Sequence, residues 1–184
     1  MAADEGVAER FEKLRVKDIM IPLSDYPHLA VWSTLREAIA RIEEGKIEIN
    51  GRTSLPRTLL LFDLDGSLAG LVRRRDIMRG LEPRFLMSQP LKYRKKLFEV
   101  ESDPALAEMF FDKMVDGVRE QTDRPVTDVL QPIKQTIDVN AHMVTAVYEM
   151  VTHDLTLLPV LDNGMVVGVI RSVDVFHELA RMAT

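Results

Sequence analysis

Leu59–Met78, with the sequence LLLFDLDGSLAGLVRRRDIM, is the stretch from which the fold of this chain is best inferred. Residues 59–62 form an apolar run typical of a buried strand, and residues 68–72 predict a second strand. Between them, Asp63-Leu64-Asp65-Gly66 has the composition of a tight turn. Residues 76–81 predict a short helix. The stretch therefore predicts a unit of strand, turn, strand and helix.

A second copy of this unit lies near the C-terminus. Gly168-Val-Ile-Arg-Ser-Val-Asp174 aligns without a gap with Gly70-Leu-Val-Arg-Arg-Arg-Asp76. Further upstream, Val126-Thr-Asp-Val-Leu130 matches Val16-Lys-Asp-Ile-Met20. Because similar segments recur in the same order, the sequence predicts a tandem repeat in which each copy holds a strand, a helix, a hairpin and a second helix.

The first copy carries an additional segment, residues 46–57, before its pair of strands. This segment alternates weakly between apolar and polar residues and contains Asn50-Gly51, a favoured hairpin turn. It predicts a small inserted hairpin or loop. In the preceding helix, Ser33 or Thr34 is the predicted N-cap, and Glu37 is placed to complete a capping box.

The repeat unit resembles the CBS motif, and the two repeats together resemble a CBS pair, or Bateman module. The residues that carry the resemblance are Asp18-Ile-Met, Leu-Leu-Pro159-Val-Leu-Asp with Gly164, and the two Gly-to-Asp segments. The resemblance implies an α/β (α+β) fold in which each repeat is a small three-stranded sheet with two helices, packed with pseudo-twofold symmetry. We therefore predict an N-terminal helical arm at 1–15, a first CBS motif at 16–82, a helical linker or insertion at 83–123 and a second CBS motif at 124–184.

The resemblance also implies a ligand site in the clefts between the repeats. Members of the family commonly bind AMP, ADP, ATP or S-adenosylmethionine there, with an Asp accepting hydrogen bonds from the ribose and a Ser or Thr contacting phosphate. By position, Asp76 and Asp174 take the Asp role, and Arg73 and Arg171 replace the hydroxyl residue. Two interpretations of these arginines stay open: they pair with phosphate, or they fill the cleft by pairing with the Asp three residues on. The predicted ligand-binding residues are Arg73, Asp76, Arg171 and Asp174.

A catalytic interpretation competes for the first stretch. Phe62-Asp-Leu-Asp-Gly-Ser-Leu68 resembles the first motif of the haloacid dehalogenase superfamily, in which Asp63 would be the nucleophile and Asp65 the acid/base. No later strand ends in paired acidic residues, and the second repeat has the turn residues Asp162-Asn163-Gly164 at the same place. A calcium loop beginning at Asp63 would need Glu at its twelfth position, where Arg74 stands. We therefore predict no enzyme activity, no catalytic residue and no metal site.

Composition limits the remaining classes of protein. The net charge of −5 argues against a protein that mainly binds nucleic acid. The chain has no cysteine, which excludes disulfides and thiolate sites. Its first residues lack the basic start and apolar run of a secretory signal, and no apolar run approaches the ~20 residues that span a bilayer. The sequence predicts a cytoplasmic protein without a membrane segment.

The predicted function is regulatory binding. The resemblance implies a stand-alone module that binds an adenine nucleotide between its repeats, has no permanent cofactor and signals through a homodimer to an unidentified regulated protein. Residues 104–118 predict an apolar helix that must pack on the chain or on a partner. The alternative is a dimeric scaffold that binds no ligand and uses this helix for protein interaction, with Arg73 and Arg171 filling the clefts.

Overall fold

The computed structural model describes residues 12–49, 51–81 and 115–183, with side chains described to residue 181. Most of the predicted N-terminal arm and most of the 83–123 segment lie outside these residues. The predicted helix at 104–118 is described only from residue 115 onward, where residues 115–122 are helical. The strands within the described ranges are β1 Ile21–Pro22, β2 His28–Ala30, β3 Ile47–Ile49, β4 Arg52–Ser54, β5 Thr58–Phe62, β6 Leu68–Arg73, β7 Ile137–Asp138, β8 Leu157–Asp162 and β9 Met165–Arg171. The α-helices of the two repeats are α1 Leu35–Glu44, α2 Arg74–Gly80, α3 Met143–Thr152 and α4 Ser172–Ala183.

The first repeat forms a three-stranded sheet in the order β2-β5-β6. Strand β2 runs parallel to β5, and β5 pairs antiparallel with β6 across the Asp63–Gly66 turn. Helix α1 begins as the sequence predicts: Thr34 is the N-cap, its side chain accepts from Glu37 N, and Glu37 accepts from Thr34 N at 2.7 Å. The buried face of α1, with Leu35, Ala38 and Ile42, packs on this sheet.

The second repeat contributes three strands to its sheet, as predicted, and the sheet gains a fourth, in the order β1-β9-β8-β7. The fourth strand, β1, comes from the first repeat and pairs antiparallel with β9, Pro22 opposite Gly168. A Cβ atom at Gly168 would collide with the backbone carbonyl of Ile21. Glycine therefore allows the incoming strand to lie against β9 at this point.

The segment that leads into each repeat packs on the other repeat. Val16 lies in the core of the second repeat, and its N–H donates to Ala141 O at 2.9 Å. In the opposite direction, Val126 lies in the core of the first repeat, and its N–H donates to Ser33 O at 2.8 Å. This exchange of leading segments ties the two repeats together, since each core is incomplete without the other repeat's residues.

A third apolar cluster lies between the two sheets. It combines side chains of the first repeat with side chains of the second, all buried: Ile21, Tyr26, Ile47, Leu60, Leu157 and Val169. Ile47 belongs to the inserted segment, which forms the antiparallel hairpin β3–β4 with Ile47 opposite Ser54 and Ile49 opposite Arg52. The predicted insertion is thus a hairpin, and its apolar face is part of the contact between the repeats.

Candidate functional site

A cavity of about 860 Å³ lies where three elements meet: the leading segment 18–25, the hairpin β3–β4 and the start of α4. Arg171 and Asp174 line this cavity, as does Asp18 of the leading segment. The exchange of leading segments creates this arrangement, since it brings residues of the first repeat against β9 and α4 of the second. The cavity therefore lies between the repeats, where the resemblance implies a ligand.

Arg171 and Asp174 form a two-pronged ion pair inside the cavity wall. The guanidinium donates from Nε to Asp174 Oδ2 at 2.6 Å and from Nη2 to Asp174 Oδ1 at 2.8 Å. The side chains are only 13% and 7% exposed. A buried carboxylate requires such a partner, because a lone buried charge is costly. Helix α4 begins at Ser172, so Asp174 lies within its first turn.

The first repeat has the same pair. Arg73 Nε donates to Asp76 Oδ2 at 2.6 Å and Nη2 to Oδ1 at 3.0 Å, and Arg73 N also donates to Oδ2 at 3.1 Å. Burial alone would raise the pKa of Asp76, but the hydrogen bonds from Arg73 outweigh it, so this pKa lies below its ordinary value. Helix α2 begins at Arg74, two residues before the predicted start. Arg73 and Asp76 do not line the cavity beside Arg171, so the four predicted residues form two separate pairs.

The inserted hairpin supplies site residues that the sequence analysis missed. Arg171 Nη1 donates to Ser54 Oγ at 2.9 Å. Arg52 Nη1 lies 2.8 Å from His177 Nδ1 on α4. Since arginine can only donate, His177 Nδ1 accepts this hydrogen bond. The only signal in the sequence was the hairpin's lack of a counterpart in the second repeat, which marks it as an addition but says nothing of where it packs.

Tyr26 lies buried near the ion pair. Its hydroxyl donates to Thr58 O at 2.9 Å. Burial raises the pKa of Tyr26 well above its ordinary value; the charge of Arg171 lowers this pKa and that of Asp174 raises it. The phenol is therefore neutral, and it serves as a hydrogen-bond donor that joins the segment before β2 to strand β5.

Comparison with known proteins identifies the fold. The family model of the CBS domain matches residues 124–181. The chain carries a CBS domain within a CBS-pair fold. No curated protein sequence gave a significant match.

Solved structures agree with this assignment along nearly the whole chain. The CBS domain of a CBS domain containing membrane protein from Sphaerobacter thermophilus has a TM-score of 0.65 at 18% identity, over 96% of this chain and 94% of that one. The CBS-pair protein CBSX2 from Arabidopsis thaliana has a TM-score of 0.61 at 15% identity, over 92% and 96%. A structure of CBSX2 in complex with AMP has a TM-score of 0.58 at 15% identity, over 92% and 98%. The resemblance to CBS-pair proteins and the predicted fold class are confirmed.

The phosphatase-like motif of this CBS pair lies in an ordinary hairpin turn. Gly66 has φ +80 and its N–H donates to Asp63 O at 3.0 Å, so the turn joins two adjacent antiparallel strands. Asp65 accepts from Ser67 N at 3.0 Å, which lowers its pKa. Both carboxylates line a second, more open cavity of about 1190 Å³ beside Trp32. Within the described ranges no three His, Asp or Glu side chains are placed to hold a metal ion.

The described helices of the CBS pair are short or polar. Among residues 12–49, 51–81 and 115–183, none is both long and apolar enough to cross a membrane.

Proposed function

We propose that this CBS pair is a regulatory module that binds an adenine nucleotide in the cavity beside Arg171 and signals through a homodimer. The observation that carries the proposal is a cavity between the repeats lined by both Arg171 and Asp174. Its volume of about 860 Å³ falls in the range of small-molecule sites, ~300–1,000 Å³. The CBSX2 structure in complex with AMP supports an adenine nucleotide as the ligand.

The ion pair between Arg171 and Asp174 supplies the groups that would bind the nucleotide. A guanidinium binds phosphate oxygens in the same forked geometry with which it binds a carboxylate. A nucleotide phosphate can bind the edge of Arg171 that Asp174 leaves open, while the remaining lone pairs of the Asp174 carboxylate accept hydrogen bonds from the ribose hydroxyls. Arg73 and Asp76 have the same geometry in the first repeat and are the proposed contacts of a second, equivalent site.

Ligand binding regulates by shifting populations. A nucleotide that contacts both the leading segment 18–25 and α4 stabilises the arrangement of repeats that brings these two elements to it. The exposed side chains of Val144, Tyr148 and Val151 lie on one face of α3, and Phe176 is exposed on the neighbouring α4. This apolar face is the proposed surface on which two copies meet, so that a change between repeats alters the dimer.

A thermal-shift and calorimetry series with AMP, ADP, ATP and S-adenosylmethionine tests the proposal. At a ligand concentration a hundred times Kd, linkage stabilises the folded state by about 2.7 kcal/mol, which for a chain of this size raises Tm by roughly 5–11 °C. GMP and GTP are the control ligands. Asp174→Asn and Asp76→Asn are matched variants in the two repeats: loss of binding in one variant, or halved stoichiometry, assigns the occupied pair.

The Arg–Asp pairs themselves favour a second candidate, a dimeric scaffold without a ligand. In both repeats the carboxylate already has both oxygens bound by its arginine. If none of the four ligands raises Tm or produces binding heat, while Tyr148→Lys converts a dimer to a monomer in light scattering, the sensor proposal is refuted and the scaffold is favoured.

A further inference from the structure

The hairpin β3–β4, which lines the cavity beside Arg171, has no counterpart in the second repeat. In the first repeat, residues 45–57 separate α1 from β5 and contain the hairpin; in the second, only residues 153–156 separate α3 from β8. The hairpin is thus an addition to one side of a pseudosymmetric pair. Its position against the candidate ligand site indicates a role in that site.

The two strands of the hairpin are held to the second repeat in different ways. Ile47 is 1% exposed and is part of the cluster between the sheets, together with Leu157 and Val169 of the second repeat. On the same face of the hairpin, Ser54 accepts from Arg171 and Arg52 donates to His177. The apolar contact anchors β3, whereas single hydrogen bonds join β4 to the second repeat.

Arg171 links the carboxylate and the hairpin through one guanidinium. Nε and Nη2 bind Asp174 along one edge of the guanidinium, and Nη1 binds Ser54. A phosphate that binds in the forked geometry needs two N–H groups on one edge, and the edge that Asp174 leaves open joins Nη2 to Nη1, the donor to Ser54. The hydroxyl of Ser54 is neutral and accepts a single bond, while Asp174 is charged and accepts two, and charge-assisted bonds are the stronger ones. The bond to Ser54 is therefore the first to give way.

We propose that the hairpin reports occupancy of the cavity: a phosphate-bearing ligand takes Arg171 Nη1 from Ser54, and strand β4 loosens from α4. The inference rests on the proposed function and names how that site is regulated. It assigns to the hairpin the role of the element whose mobility differs between the empty and the occupied state. In the empty state, the Ser54 contact opposes binding because the ligand must break it.

Hydrogen exchange followed by mass spectrometry on the full chain, with and without ATP, tests the proposal directly. Amides of residues 52–57 are expected to exchange about fivefold faster or more when ATP is bound, while amides of β8 are slowed or unchanged. Ser54→Ala is expected to bind ATP about three- to tenfold more tightly, and its β4 amides are expected to exchange fast with or without ATP. Ser67→Ala, which removes an exposed hydroxyl in the β5–β6 turn, is the matched control and is expected to behave as wild type.

The outcomes separate this inference from the proposed function. If wild type binds ATP but exchange at 52–57 is unchanged, and Ser54→Ala binds with wild-type affinity, the hairpin inference is overturned and the nucleotide site stands. If neither wild type, Ser54→Ala nor Ser67→Ala binds any of the tested nucleotides, both are overturned together.

Discussion

Replacing Gly70 by Ala should destabilise the protein through the leading segment of the other repeat. A Cβ atom at Gly70 would lie 2.6 Å from Gln131 O and 2.5 Å from Leu130 Cδ1. The carbonyl of Gln131 accepts from Leu71 N at 3.0 Å, and Gln131 N donates to Leu71 O at 2.8 Å. The substitution therefore presses on the pair of hydrogen bonds that holds the segment on β6.

The magnitude follows from these distances. Relief of the contact with Gln131 O requires a shift of roughly 0.8 Å to reach an ordinary carbon–oxygen separation of about 3.4 Å. A shift of that size stretches the Leu71–Gln131 hydrogen bonds beyond their useful length. Two weakened bonds at about 1 kcal/mol each, with added strain of about 1–2 kcal/mol from overpacking, lower the free energy of unfolding by about 2–4 kcal/mol. The corresponding fall in Tm is roughly 4–16 °C.

Urea denaturation followed by circular dichroism measures this change, and Gly66→Ala is the matched control. Gly66 belongs to the same β5–β6 hairpin, and a Cβ atom there meets nothing within 4 Å, but its φ of +80 favours glycine. The free energy of unfolding of that variant should fall by about 1 kcal/mol from backbone strain alone. If Gly70→Ala is no more destabilising than Gly66→Ala, the close crossing of the leading segment over β6 does not hold in solution.

Three further predictions concern single hydrogen-bonded groups. Tyr26→Phe removes the donor to Thr58 O and should lower the free energy of unfolding by about 1–2 kcal/mol. If urea melts give the wild-type free energy of unfolding, the hydrogen bond from Tyr26 to Thr58 does not stabilise the protein. Asp76→Asn should lower the free energy of unfolding at neutral pH. Because Arg73 lowers the folded-state pKa of Asp76, the loss of unfolding free energy relative to wild type should be full above about pH 4 and should shrink as pH falls through that lowered pKa. A loss that stays constant from pH 7 to 2 in urea melts contradicts this. Thr34→Ala should lower the free energy of unfolding by about 1 kcal/mol because it removes the N-cap of α1. Thr34→Ser keeps a capping hydroxyl and should have nearly the wild-type stability in the same melts.

The repeat architecture was accessible from the sequence because its signals are local. The Gly-to-Asp segments, the turn residues of the two hairpins and the capping box at Thr34 each depend on residues close along the chain, and all of these elements form as predicted. The inserted segment was predicted to be a hairpin or a loop, from the turn-forming pair Asn50-Gly51, and it is a hairpin. Residue 50 itself lies outside the described part of the chain. The domain bounds and the roles of Arg73, Asp76, Arg171 and Asp174 as ligand contacts stay predictions.

The sequence alone determined that two similar units follow one another and where each presents an Arg and an Asp. Only the tertiary structure decided that the leading segments exchange between repeats, that β1 joins the second sheet, and that Ser54 meets Arg171. These contacts join residues that are far apart in the sequence, and periodicity along the chain carries no information about such pairing. Whether an arginine faces a ligand or its own neighbouring carboxylate depends on the packing around it, and in the buried wall of this cavity Arg171 pairs with Asp174.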